Sequence, residues 1–290
     1  MWLGNVRGNT YTRNHTKLNP KKAAFWEFSF DEMAEFDLPT MISYVIDKTG
    51  VETLSYFGHS QGTQIAWIEL SRNKAIASKV NFFGAFAPVA RITHVEGFYK
   101  ALNRLEPEIA GLAKLLGIYD FAPSNWLIRE LAALVCPLDQ AVICRDFIFL
   151  LCGWDLKNLN ETQVPVYVAH TPAGTSTQNI IHWAQLLSAK KIQKFDYGPK
   201  GNMAHYNSTT PPEYDISGIA VPVALVAGGN DFLGDPRDVE WLEGQLNPDI
   251  IKANIFYDDY NHLDFVWGVD ANVRVYSKMV ALLESVYTWL

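Results

Sequence analysis

The sequence predicts an α/β fold built on a mostly parallel sheet. A strand (51–57), a helix and a second strand (80–86) follow one another early in the chain, and that succession makes a parallel βαβ unit. Two further apolar strands, 220–227 and 252–257, return late in the chain after a long helical stretch. At the first strand–helix junction stands Gly58-His59-Ser60-Gln61-Gly62, a G-x-S-x-G pentapeptide in the local context where that string carries chemistry.

Taken in order, the elements support this reading. Ser29-Phe30-Asp31-Glu32 has the form of a capping box, a hydroxyl and a carboxylate three residues apart that satisfy two orphan amides. Met33, Phe36, Leu38, Ile42, Val45 and Ile46 follow at near-helical spacing, with Lys48-Thr49-Gly50 as a stop and Pro39 expected to kink the helix. The strand 51–57 is rich in β-formers and ends at Gly58; after Gly62 the pattern is helical again through Ile65, Ala66, Ile68 and Leu70. The strand 80–86 closes before Pro88. Between about 91 and 215 helical apolar patterns dominate (109–116, 126–135, 141–151), broken by Pro107, Pro123 and Pro137, and 164–169 is a candidate strand. The run 220–227 is almost continuously apolar, as in a strand buried on both faces, and 273–290 is a closing amphipathic helix. The expected organisation is a sheet domain from 1–90 and 216–290, interrupted by a helical cap or lid insertion at 91–215.

Composition bounds the function. The 290 residues allow one large α/β domain or two smaller ones. Apolar residues at 49% and charged residues at 19% exclude disorder and collagen-like repeats. With 24 Lys and Arg against 31 Asp and Glu, the net charge of -7 argues against a nucleic-acid partner, which would need a basic face. No run reaches the 18 apolar residues of a membrane span; the most apolar stretch, 127–151, is broken by Arg129, Glu130, Asp139, Arg145 and Asp146. Nine Trp leave a surplus of aromatic surface for a pocket or an apolar face. The start of the chain lacks the basic and apolar regions of a signal peptide. Cys136, Cys144 and Cys152 are equally spaced by eight residues without a C-x-x-C, so no metal site is expected; one disulfide and one free thiol fit an oxidising compartment. Asn14, Asn160 and Asn207 head N-x-[ST] sequons, candidate glycosylation sites.

The pentapeptide makes Ser60 the candidate nucleophile. A nucleophilic serine must sit on a sharp turn that frees its hydroxyl from the sheet, and its neighbours must be small because the chain folds tightly there. The amide of Gln61 would open a helix, where unpaired N–H groups and the dipole favour a developing oxyanion. Serine needs a base oriented by a carboxylate, and in this arrangement acid precedes histidine, each on a loop after a strand. Asp231, in Gly228-Gly229-Asn230-Asp231, and His262, in Asp258-Asp259-Tyr260-Asn261-His262, occupy those loops. Asp235 and Asp238 are read as solvated or structural. His205 comes too early in the chain, His59 points away from a correct elbow, and His170 and His182 are read as surface or core residues. No cofactor is expected.

Five segments together resemble the acid lipase family. They are Trp2-Leu3-Gly4-Asn5 with Arg7-Gly8-Asn9-Thr10, Phe28-Ser29-Phe30-Asp31-Glu32-Met33, Gly58-His59-Ser60-Gln61-Gly62-Thr63, Asn230-Asp231-Phe232-Leu233 with Asp235-Pro236, and Asn261-His262-Leu263-Asp264-Phe265. The resemblance runs from Trp2 to the C-terminus. It implies an α/β-hydrolase fold with a helical cap, and hydrolysis of triacylglycerols or cholesteryl esters at acidic pH at a lipid–water interface. Ser60, Asp231 and His262 match the family's triad, and the insertion matches its lid over an acyl pocket. The three cysteines match the family's cap cysteines, of which Cys136 and Cys144 would pair and Cys152 stay free. The resemblance also implies a secreted or lysosomal parent protein.

The chain departs from the family pattern at the front. The early strands, and a His-Gly motif followed by a second oxyanion donor, have no counterpart. Loss of one such donor costs about 10²–10³ in rate elsewhere. The strand leading to Ser60 would be left with an unpaired edge. The expectation is therefore a lipase in origin, with the N-terminal strands missing, and weak or no activity for these 290 residues alone. The rival readings are a short-chain esterase or thioesterase, a serine peptidase of the same fold, and a non-catalytic lipid-binding fragment.

Overall fold

The structure is a computed structural model that describes residues 1–97, 118–121 and 141–287. Its strands are, in chain order, β1 (Leu54–His59), β2 (Val80–Phe86), β3 (Asp120–Phe121), β4 (Thr175–Ser176), β5 (Val223–Gly228) and β6 (Ile251–Tyr257). Four of them form one parallel sheet in the order β1-β2-β5-β6, while β3 and β4 pair antiparallel in a separate ribbon. The principal helices are α1 (Leu38–Thr49), α2 (Gln61–Arg72), α3 (Ala141–Cys152), α4 (Val164–His170), α5 (Thr177–Ala189), α6 (Gly198–Tyr206), α7 (Pro236–Gln245) and α8 (Ser277–Tyr287).

The two central strands carry the core. β2 and β5 are buried almost throughout, and their side chains alternate between two apolar clusters. Phe83, Ala85, Val223 and Leu225 face the cluster that holds Trp67 of α2 and Leu242 of α7. Phe82, Phe86, Ala224 and Val226 face the one that holds Phe265 and Met279 of α8. Covering on both faces explains why these strands are continuously apolar. β1 and β6 are the outer strands of the described sheet. Phe57, on β1, stays 39% exposed.

Register sets the position of the site. His59 pairs with Phe86, Phe86 with Val226, and Gly228 with Tyr257, so the carboxyl ends of the strands finish at one edge. The loops leaving that edge carry Ser60, Asp231 and His262. Ligand sites of open α/β sheets lie outside this edge.

Several local expectations are met or shifted. The capping box forms as read: the Ser29 amide donates to Glu32 Oε2 at 2.6 Å, and the Asp31 amide donates to Ser29 Oγ at 3.2 Å. Pro39 does not kink a continuous α-helix. A π-helical turn, Met33–Asp37, precedes α1 and leaves Pro39 in the first turn, where its missing N–H is not needed. The early strand begins later than expected, at Leu54, and runs through Gly58 to His59. The candidate strand 164–169 is instead helix α4. Asn160 caps a 3-10 turn, Glu161–Gln163, that leads directly into it, with Pro165 in the first turn. Val164 and Val168, one turn apart, both pack with Ile148, and Tyr167 stacks on Trp267 at 4.5 Å. The closing helix begins with a second π-helical turn, Asn272–Tyr276, before α8. The helices expected at 109–116 and 126–135 lie outside the described residues.

Candidate active site

β1 ends at His59 and α2 begins at Gln61, so the strand-to-helix reversal is made by Ser60 alone. Its backbone angles, φ 54° and ψ -121°, are sparsely populated for a residue with a side chain. The surrounding bonds over-determine that conformation. Ser60 N–H donates to the Phe86 carbonyl at 3.1 Å. The Thr63 hydroxyl donates to the Ser60 carbonyl at 2.7 Å and accepts from the Val89 amide at 2.8 Å. A Cβ at Gly58 would lie 2.7 Å from the Gly62 carbonyl carbon, which is why that position must be small. Gly62 differs from the expectation: a Cβ there would meet only the Tyr56 hydroxyl, at 3.5 Å.

Ser60, His262 and Asp231 are brought together from loops far apart in the chain. Ser60 Oγ lies 2.7 Å from His262 Nε2. His262 Nδ1 lies 2.9 Å from both Asp231 carboxylate oxygens. Because Nδ1 faces only acceptors it carries the proton, leaving Nε2 to accept from the serine hydroxyl. Asp231 and His262 are both buried. Asp231 Oδ1 also accepts from the amides of Leu233 at 2.8 Å and Gly234 at 2.7 Å, so its own turn fixes it.

His262 is fixed by other segments. Its amide donates to the Cys152 carbonyl at the end of α3, at 3.1 Å. Its own carbonyl accepts from His59 Nε2 at 2.7 Å. Burial, reinforced by the neighbouring His262, pushes His59 down to about 4, so its imidazole is neutral near pH 7. His59 thus turns from the serine, as read, but its contact with the His262 carbonyl lies beyond sequence reasoning. The next residue, Gly153, has φ +104°, and a Cβ there would sit 1.7 Å from the Asn230 carbonyl oxygen. Asn261 Nδ2 donates to the Gly153 carbonyl at 3.1 Å, completing the tie between α3 and the loops of Asp231 and His262.

The other candidates have plain structural partners. Asp235 caps α7 and pairs with Arg237 at 2.6 Å. Asp238 accepts from Arg91 at 3.0 Å and from the His94 amide at 2.7 Å. His182 is buried against Phe30, with ring centroids 3.8 Å apart, between Ser29 Oγ and the Gln193 carbonyl, and burial pushes it down to about 3. His170 and His205 are exposed. Cys152 is a free thiol, pushed up to about 12 by burial and by the charges of Asp231 and Asp264. The expected Cys136–Cys144 pairing involves Cys136, which lies outside the described residues. Asn14 and Asn207 are exposed, whereas the Asn160 side chain accepts from the Thr162 amide at 3.1 Å. Among the described residues no group of three or more His, Cys, Asp or Glu is arranged to hold a metal ion, and no helix is long and apolar enough to cross a membrane.

Gln61 opens α2, so its amide is among those with no intrahelical acceptor. The amide therefore stands beside Ser60 at a helix N-terminus, where a developing negative charge is favoured.

No family model matches the chain. Gastric triacylglycerol lipase of Mus musculus is 44% identical over 287 residues, which cover 98% of this chain and 72% of that protein. Lysosomal acid lipase/cholesteryl ester hydrolase of Rattus norvegicus is 41% identical over 287 residues, covering 98% of this chain and 71% of its own length. Among solved structures, an esterase from Exiguobacterium antarcticum matches with a TM-score of 0.50 at 13% identity, over 96% of this chain and 79% of that one, a likeness of fold. The fold is the α/β-hydrolase fold, and the relatives are ester-cleaving hydrolases by name. On identities of this size over nearly its whole length, the chain belongs to the acid lipase family, with gastric and lysosomal acid lipases among its relatives.

Proposed function

We propose that the protein hydrolyses carboxylic esters of neutral lipids, triacylglycerol or cholesteryl ester, with Ser60 as nucleophile, His262 as base and Asp231 as the orienting acid. The observation that carries this reading is the unbroken series Ser60 Oγ, His262 Nε2, His262 Nδ1 and Asp231, with contacts of 2.7 Å and 2.9 Å. As Ser60 Oγ attacks the ester carbonyl, His262 Nε2 takes its proton, and Asp231 stabilises the imidazolium. The Gln61 N–H donates to the oxyanion. His262 then protonates the departing alcohol, leaving an acyl-serine. Water, deprotonated by His262, hydrolyses that ester and restores Ser60.

The substrate class follows from the relatives' names, one printed for triacylglycerol and the other for cholesteryl ester. Residues 91–215 are proposed to be the cap over the acyl pocket, on the core formed by 1–90 and 216–290. A secreted or lysosomal parent protein fits the same relatives, with Asn14 and Asn207 as exposed acceptors for glycan.

The test is labelling of the purified chain with a fluorophosphonate probe, followed by hydrolysis of trioleoylglycerol, cholesteryl oleate, short-chain esters and an amide panel. Labelling and ester cleavage should both vanish in Ser60→Ala, with kcat down about 10⁶-fold. A folded chain that neither labels nor cleaves esters would overturn the catalytic reading and leave a lipid-binding one.

A further inference from the structure

The side chain of Gln61 is held from outside the sheet. Its Oε1 accepts from Trp183 Nε1 at 2.8 Å and from Asn179 Nδ2 at 2.7 Å, while its Nε2 donates to Met33 Sδ at 3.1 Å. Indole nitrogen is a donor only, so the Gln61 atom facing it must be the oxygen. That assignment in turn requires Asn179 to present its nitrogen to the same oxygen. Both donors sit on α5, four residues apart, and so project from one face of the helix.

α5 is itself firmly seated. Ser176 caps it, accepting from the Asn179 amide at 2.9 Å and donating to the Phe28 carbonyl. Asn179 is buried, and Trp183 lies against Phe30 with ring centroids 5.1 Å apart. The clamp therefore connects the first residue of α2 to a seated helix of the segment between β2 and β5. Gln61 is also the residue immediately after the strained Ser60. Its peptide is the joint at which that strain would relax by rotation, turning the N–H away from the reacting carbonyl.

We propose that Trp183 and Asn179 are positioning residues: by fixing the Gln61 side chain they hold its backbone N–H aimed at the oxyanion, and α5 thereby takes part in stabilising the transition state. This inference rests on the reading of Ser60 as the nucleophile and Gln61 N–H as the donor beside it. Pre-organised donors act because they need not reorient during reaction, and a small misplacement of one is sufficient to lose much of its effect.

The test is a double-mutant cycle on the full chain with Trp183→Phe and Gln61→Met, singly and together. It is read by p-nitrophenyl butyrate kinetics and by hydrogen–deuterium exchange of the peptide containing Ser60-Gln61-Gly62. Trp183→Phe keeps the ring against Phe30 but removes the donor. It should lower kcat about tenfold with KM within about twofold. It should speed exchange at the elbow and have almost no further effect on kcat in the Gln61→Met background. Losses that add in full, an unchanged kcat in an active chain, or an unchanged exchange at the elbow each overturn the proposal. Asn179→Asp, which preserves volume but sets a carboxylate against Gln61 Oε1, checks the same prediction if Trp183→Phe loosens the whole fold. If the unaltered chain cleaves no ester while Trp183→Phe still loosens the elbow alone, the catalytic reading fails, and the role in the transition state with it, leaving only a structural clamp on the elbow. If the elbow does not respond, the positioning role fails whatever the activity.

Discussion

Asp231 and His262, the proposed acid and base, are held in contrasting ways. Asp231 leaves the most buried strand, β5, and its carboxylate is fixed by the amides of Leu233 and Gly234 in its own turn. His262 leaves an outer strand, β6, and its backbone is clipped at both polar groups by distant segments, the Cys152 carbonyl of α3 and the imidazole of His59. Asp231 is thus placed by local chain geometry and His262 by contacts between distant segments. Substitutions at the first should change chemistry with little change in fold, whereas those around the second should change both.

The sharpest form of that contrast is Asp231→Asn. The amide oxygen can still accept from the turn amides, so the melting temperature should move by no more than a few degrees. It can no longer enforce the His262 tautomer, and kcat should fall about 10⁴-fold. A large loss of stability would show that the acid, too, depends on long-range support.

His59→Phe should show the opposite balance. It removes the imidazole that donates to the His262 carbonyl, leaving a buried acceptor without its partner, a cost of about 1–3 kcal/mol. Both melting temperature and kcat should drop, kcat by about tenfold, because the base loses one of its two anchors. Thermal melts and ester kinetics on the same preparation decide it; a change in only one of the two would break the comparison.

The same contrast describes what could be read before folding. The meeting of Ser60, Asp231 and His262 was legible because each is signalled locally, by a strand end followed by a short polar or glycine-rich loop. The helix α4 was not, since Val164-Pro165-Val166-Tyr167-Val168 has the composition of a strand. Its helical signals, the Asn160 cap, a first-turn proline and the 164/168 pair, are weaker than composition. Pro39 misled for a related reason: a widened turn upstream can move a proline into a harmless position. The partners of His59 and Gln61 lie 203 and 122 residues away for the contacts with His262 and Trp183, and no local pattern encodes such pairings.

The smallest predicted effect is in stability against pH. Burial raises Asp31 to about 6, and burial, together with the charges of Asp155 and Asp270, raises Asp264 to about 8, both from 3.8. These groups keep protons in the folded state that the unfolded chain has released, so they cost stability as pH rises from about 4 towards those values. His59 and His182, lowered to about 4 and about 3 from 6.5, act in the opposite sense and add stability as pH rises to 6.5. The two trends oppose one another below 6.5. Of these four groups Asp264 alone is still titrating above it, so their combined effect is a decline in stability between pH 6.5 and 8. Melting temperatures across pH 4.5–8.5 should show that decline, and Asp264→Asn should flatten it. Asp264 Oδ2 accepts from the Asn261 amide at 2.5 Å, beside the base, which an asparagine oxygen can still do.

The ties of α3 and α5 to the loops below them bear on protein engineering. An attempt to alter substrate preference by exchanging the proposed cap, residues 91–215, for a relative's would replace the Cys152 carbonyl that anchors His262, and Asn179 and Trp183, which bond to Gln61. Such a chimera must reproduce those three contacts at its new seam, or carry along the core residues that meet them. Otherwise a pocket of the desired shape would sit above a disarmed serine.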